Sequence, residues 1–141
     1  MINLLLTSVN WRAELVKIFR KKIKEICLDN KVVTTDIDPL AAGIYQSDNH
    51  YMVPLYVNPD YPRVLKEICK KERIDFIIPQ TDRDCNYFAE HRQLIESWGV
   101  TVLMPDSQFI NILNDKKKCQ NFLSDHNILI PRNFNSIEEV N

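Results

Sequence analysis

The chain has 141 residues, long enough for one domain that buries its own core without disulfide staples. Hydrophobic residues at 45% and charged residues at 26% exclude collagen-like and disordered classes, and 18 basic against 19 acidic side chains leave a net charge of −1 with no global pull toward nucleic acid or anionic membrane. No apolar run approaches the ~20 residues that span a bilayer, and the apolar start has no basic leader, so a cytoplasmic protein without membrane or nucleic-acid partners is expected.

Residues 2–7 form a nearly continuous apolar run, the pattern of a strand covered on both faces. Residues 11–27 follow with helical period, Leu15, Ile18, Phe19, Ile23 and Ile26 on one face, and Asn30 is the expected left-handed stop. Residues 31–36 read as a β-branched second strand, 40–47 as a short helix and 50–54 as a third strand closed by Pro54. Asp60 is placed to cap a helix that carries Pro62 in its first turn and buries Val64, Leu65, Ile68 and Cys69.

Residues 75–79 are the fourth strand. Residues 83–98 read as one helix with Tyr87, Phe88, His91, Leu94, Ile95 and Trp98 inward, capped by Asp82 and stopped by Gly99. Residues 100–104 are the fifth strand. A short helix after Asp106 carries Phe109, Ile110 and Leu113, and Asn114 is the expected cap of a helix over 115–126 that stops at Asn127. A further strand over 128–134 and a capping box at Ser136 and Glu139 end the chain, as if a longer protein continued beyond it.

Strand–helix alternation predicts parallel strands with right-handed crossovers: an α/β fold with a Rossmann-like open parallel sheet, order 3-2-1-4-5, in three layers. Ligands bind such sheets outside the carboxyl ends of the strands. Two glycines, Gly43 and Gly99, are too few for a G-x-G-x-x-G loop or a P-loop, which counts heavily against nicotinamide-dependent and methyl-transfer readings. Cys27, Cys69, Cys85 and Cys119 include no C-x-x-C pair, and Cys27, Cys69 and Cys119 are expected as buried free thiols. His50, His91 and His126 have no metal spacing, so no metal site is expected, and Trp11 and Trp98 read as core or helix-end packing.

Five segments resemble, in register, the carbamoyl-phosphate-synthase-like ATP-grasp proteins: Leu5 to Leu15, Thr35 to Ala41, Asp48 to Pro54, Ile77 to Asp82, and Asn114-Asp115-Lys116 with Phe122, Leu123, Asn127 and Pro131. The resemblance implies a Rossmann-like pre-ATP-grasp domain over 1–113 and the start of a truncated ATP-grasp domain over 114–141. It implies a ligase that joins a carboxylate to an amine through an acyl phosphate, with ATP and Mg2+ in the full-length parent and none bound to this fragment. No catalytic residue is then expected in this chain. The implied partners are a small-molecule carboxylate substrate and the missing C-terminal domain, with a homodimer as a further option. The family has glycine at the places of Asn10, Asn30 and Asn127, and Glu at that of Asp84.

By this resemblance Lys116 reaches an ATP phosphate; as bare sequence, Lys116, Lys117 and Lys118 are a charge run beside Asp115. The substrate-binding candidates are Ser8, Asn10, Arg12, Asp36, Thr81 and Asp82. Arg12 either holds a carboxylate in bidentate fashion or pairs with Glu14 or Asp36. Asp36 stands where Rossmann proteins place an acid on a ribose hydroxyl, or caps its loop, and Asp82 binds substrate or caps its helix. The alternative function is a non-catalytic small-molecule-binding or regulatory Rossmann-like module.

Overall fold

A computed structural model of the chain describes residues 1–131. The expected capping box at Ser136 and Glu139, and the last residues of the expected 128–134 strand, lie outside the described residues. Five strands, β1 (Asn3–Thr7), β2 (Lys31–Asp36), β3 (Asn49–Met52), β4 (Phe76–Ile78) and β5 (Thr101–Val102), form one parallel sheet in the order 3-2-1-4-5. This is the expected topology.

The sheet is the middle layer because β1 is buried along its whole length. Alternate side chains of a strand face opposite sides. Leu5 joins Val33, Leu65, Ile77, Phe88 and Ile95 in one core, under α2 (Tyr61–Glu72), α3 (Asp82–Glu90) and α4 (Arg92–Glu96). Leu4 and Leu6 join Val16, Ile23, Val32 and Ile44 in the other, under α1 (Ala13–Ile26). Each fully buried leucine contributes about 1.5–3 kcal/mol relative to exposure.

Several local expectations are corrected. Asn30 is not a left-handed stop: its side chain accepts from Ile2 N at 2.7 Å and donates to Ile23 O at 2.9 Å, stitching β1 to the end of α1. Ile18 and Ile26 are more than half exposed, because only one narrow stripe of α1 meets the sheet, and Cys27, beyond that stripe, is exposed rather than buried. Of the other two thiols, Cys69 is buried and Cys119 partly so. Asp60 precedes α2, but its carboxylate pairs with Arg63 and caps nothing.

The expected 83–98 helix is two helices. His91 interrupts it with Nδ1 2.9 Å from Tyr87 O and its ring stacked on Tyr87, and beyond the break Leu94 turns half outward. Gly99, at φ +87°, is the expected stop.

The short helix expected over 40–47 shrinks to a single 3-10 turn, Ile44–Gln46. Gly43 starts this turn because Val9 packs directly on it. A Cβ at Gly43 would lie 2.2 Å from Val9 O and 2.7 Å from Val9 Cβ.

Two acids fasten the β3 edge. Asp48 accepts from Val32 N, Arg20 Nε and Lys24 Nζ. Burial pushes its carboxyl up, but the bonds from Lys24, Val32 and Arg20 outweigh it and hold it below the usual range. Glu72, on α2, accepts from Tyr51 and Asn49 of β3. Burial again opposes, and these donors, with the nearby Lys31 and Lys71, hold it low. On the opposite edge, Arg92 donates to Val102 O, Met104 O and Pro105 O, while Glu96 accepts from Val102 N.

The chain divides into two compact units, Met1–Ser107 and Gln108–Asn141. In the second, α5 (Ser107–Leu113) leads to α6 (Lys116–Asp125). Asp115, not Asn114, is the cap of α6, its carboxylate accepting from the amides of Lys117 and Lys118. Phe109 and Phe122 meet edge to face at 5.3 Å, and Asn127, at φ +57°, is the expected left-handed stop. Residues 128–131 form no strand, with no neighbouring strand among the described residues to pair with. Phe122, Leu123 and Ile130 are half-buried and Ile128 is exposed. Among the described residues no helix is long and apolar enough to cross a membrane.

Gly43→Ala must move Val9 and the loop after β1. Such overpacking costs about 1–3 kcal/mol, and we expect that loss in the urea unfolding midpoint. Unchanged stability would mean the loop yields freely at Val9.

Candidate functional site

β1 and β4 are neighbours whose crossovers leave to opposite faces, so a crevice opens at their carboxyl ends. It holds a cleft of about 440 Å³. Ser8, Asn10 and Trp11 enter it from the exit of β1, and Thr35, Asp36 and Ile37 from the exit of β2. The segment after β3 adds Val53, Pro54, Leu55 and Tyr56, and Tyr61, Thr81, Asp82, Arg83 and Asp84 complete the wall.

The wall is organised around Asp84, which is 4% exposed. Its Oδ2 accepts from Thr7 Oγ1 at 2.8 Å and its Oδ1 from Ser8 Oγ at 3.1 Å. Ser8 sits at φ +51°, a left-handed conformation that costs a non-glycine residue about 1–3 kcal/mol unless its surroundings hold it. The bond to Asp84 is one such hold, and the packing of the next residue, Val9, against Gly43 is another. Burial pushes the Asp84 carboxyl above the usual carboxylate range, and the donors from Thr7, Ser8, Thr81 and Gln80 only partly offset this. Burial and the neighbouring Asp84 also drive the Tyr61 hydroxyl far up, so it stays protonated.

Asp82 was expected to cap the helix that follows, but Thr81 does so. Thr81 has extended backbone, and its hydroxyl accepts from Asp84 N at 3.2 Å. A hydroxyl three residues before Asp84 reaches that amide in the geometry of a capping box. Asp82 is left exposed on the cleft wall.

Of the candidate residues, Ser8, Asn10, Asp36, Thr81 and Asp82 are brought together in the cleft. Arg12 is exposed beside it, with its guanidinium 3.5 Å from Gln80 O. Asp36 is buried, and its Oδ1 accepts from Asp38 N at 3.0 Å, the loop-capping bond. Trp11 was expected as packing but is 90% exposed at the cleft mouth, on the loop two residues before α1. Sequence reasoning also missed Tyr61 and the central part of Asp84; the Thr81–Asp84 spacing was the available signal.

Ser8 and Thr7 donate hydrogen bonds to Asp84, and His50, His91 and His126 lie against Tyr45, Tyr87 and Phe122.

In the second unit, Lys116 is the exposed first residue of α6. It fits a single phosphate contact. The helix end behind it does not fit a second, since Asp115 already occupies the Lys117 and Lys118 amides. Among the described residues no group of three or more His, Cys, Asp or Glu converges as a metal site. Among the described residues, then, one phosphate contact and no magnesium site are offered to a magnesium nucleotide.

A family described as PylC-like, N-terminal domain, matches residues 4–103. Among curated proteins none matches the chain in sequence. Among solved structures, the chain is similar to N5-carboxyaminoimidazole ribonucleotide synthetase from Thermotoga maritima, with 15% identity and a TM-score of 0.64 over 99% of this chain and 35% of that one. A synthetase of the same name solved as an ADP complex gives 14% identity and 0.62 over 93% of this chain and 30% of that one. The biotin carboxylase domain of a single-chain bacterial carboxylase gives 14% identity and 0.59 over 99% and 33%. The chain spans about a third of the length of these structures, and the likeness is one of fold.

Asp84 generates a pH signature. The folded protein holds its proton more tightly than the unfolded chain, whose carboxyl titrates near 3.8. The stability this group contributes is thus complete below that value and is lost as pH rises through the folded-state pKa. Asp84→Asn keeps an acceptor for one hydroxyl and removes the titration. We expect the variant to gain stability relative to wild type as pH is raised from about 4 to 7, measured by urea midpoints. A relative loss that grows with pH would refute the assignment.

Proposed function

The chain belongs to the PylC-like N-terminal domain family, and on that premise we propose that it is the substrate-side domain of an ATP-dependent carboxylate–amine ligase of the carbamoyl-phosphate-synthase-like ATP-grasp type. The observation that carries the reading is the cleft at the β1–β4 switch point, lined by Ser8, Asn10, Asp36, Thr81 and Asp82. Its support from outside the chain is the shared fold with two synthetases and a biotin carboxylase domain.

In this reading the cleft binds and orients one small substrate. Ser8 is fixed by Asp84, so its hydroxyl meets the ligand without a rotamer search. Thr81 is likewise fixed by its cap. Arg12 and Arg83 stand at the exposed rim, where a guanidinium takes a substrate carboxylate in two-bond fashion. Residues 114–141 open the ATP-grasp domain, with Lys116 toward phosphate. The acyl-phosphate chemistry, its nucleotide and its Mg2+ belong to the rest of the parent ligase, and no residue of this chain is assigned a catalytic step.

A quantitative consequence concerns the chain alone. One charge-assisted contact from Lys116 contributes about 1.5–3 kcal/mol, whereas micromolar affinity requires about 8 kcal/mol. Calorimetry is expected to show no micromolar ATP binding by this chain, and no ADP release on its own. The full-length parent is expected to release ADP only when both a carboxylate and an amine are supplied. Micromolar ATP binding by the chain, or a parent without such turnover, would overturn the reading in favour of a binding or regulatory module.

A further inference from the structure

The exit of β2 holds two oxygens that the fold buries and leaves unmatched. Thr35 is fully buried and Asp36 nearly so. Among the described residues, Thr35 Oγ1 and Asp36 Oδ2 are buried without a hydrogen-bond partner. Both residues line the cleft. Buried polar atoms are matched as a rule, and an exception calls for a reason.

The charge around them narrows the reason. Asp36 belongs to none of the ion pairs among the described residues. Asp82 and Asp84 share the cleft with it, against one lining cation, Arg83, which is exposed. A buried carboxylate without a counter-ion accepts a cationic donor most readily. A neutral hydroxyl would supply the bond but not the charge, and an anion would meet repulsion. Adjacent residues of a strand face opposite sides of the sheet, so Thr35 Oγ1 and Asp36 Oδ2 do not share one small group, and the charged oxygen decides the ligand.

We propose that the β2 end of the cleft is a cation subsite in which Asp36 Oδ2 accepts a primary ammonium of a small ligand. Asp36 Oδ1 stays with Asp38 N, which fixes the carboxylate for the ligand before it arrives. This deepens the ligase reading and rests on it for the cleft being a substrate site.

Three two-carbon probes with a common hydroxyl end test the subsite: ethanolamine, ethylene glycol and glycolate. Each is titrated into the chain and followed through the backbone amides of Asp36, Ile37 and Asp38 by NMR. Ethanolamine is expected to shift them saturably, glycol to bind at least about tenfold more weakly and glycolate not at all. Asp36→Asn keeps the Asp38 bond and is expected to weaken ethanolamine about tenfold or more. The comparison of the three probes uses the unaltered chain, and it carries the test if Asp36→Asn does not fold. Equal binding of glycol or glycolate, unchanged ethanolamine binding in Asp36→Asn, or no shift at about 0.1 M ethanolamine each overturns the proposal. The titration uses neither nucleotide nor turnover, so its failure leaves the ligase reading to stand or fall on ADP release by the parent.

Discussion

A carboxylate buried between two elements far apart in sequence fixes the cleft end of this molecule. Asp84, in the first turn of α3, holds the hydroxyls of Thr7 and Ser8, where β1 ends. The chain therefore leaves β1 through a left-handed Ser8, Val9 is driven down onto Gly43, and Trp11 is turned out to the cleft mouth. Thr81 prepares Asp84 for this task. By taking the Asp84 amide, it sets the helix start and aims the carboxylate across to β1.

The buried and half-buried acids of the sheet divide by the donors they meet. Asp48 is served by two cations and an amide, and Glu72 by a phenol and an amide with two lysines near; both are held low and fasten the β3 edge. Asp84 is served by hydroxyls and backbone groups, no cation offsets its desolvation, and its carboxyl rises. The fold thus uses charged anchors at its outer strand and a more weakly compensated acid at the wall of its cleft.

The sheet was legible because β1 and β2 carry near-continuous apolar or β-branched runs, a pattern that parallel pairing requires. Gly99 and Asn127 were legible because positive φ selects among few residues. Asn30 was misread by the same rule: its side chain found two backbone partners across the fold, which no local pattern encodes. The single 83–98 helix ended at His91, where the ring nitrogen meets the carbonyl of Tyr87 alongside the residue's own backbone amide. In the site, Ser8, Asp36 and Thr81 followed from their places at strand ends. Trp11 did not, since an exposed indole and a buried one have the same sequence. The unmatched oxygens of Thr35 and Asp36 were beyond reach altogether, because matching is a property of the assembled cleft.

The β5 edge has a consequence for how the protein behaves in a crowded solution. An outermost strand presents outward-facing amides and carbonyls that can recruit a strand from another molecule. Thr101 N in β5 and Leu103 N just after it bond inward to Asp75 O and Ile77 O, which leaves Val102 facing out. Its carbonyl is taken by Arg92 and its amide by Glu96, two residues of α4 that also pair with each other. The strand is two residues long and its one open rung is filled from within. Self-association through continued sheet growth is thereby blocked at this margin by an ion pair rather than by proline or a bulge.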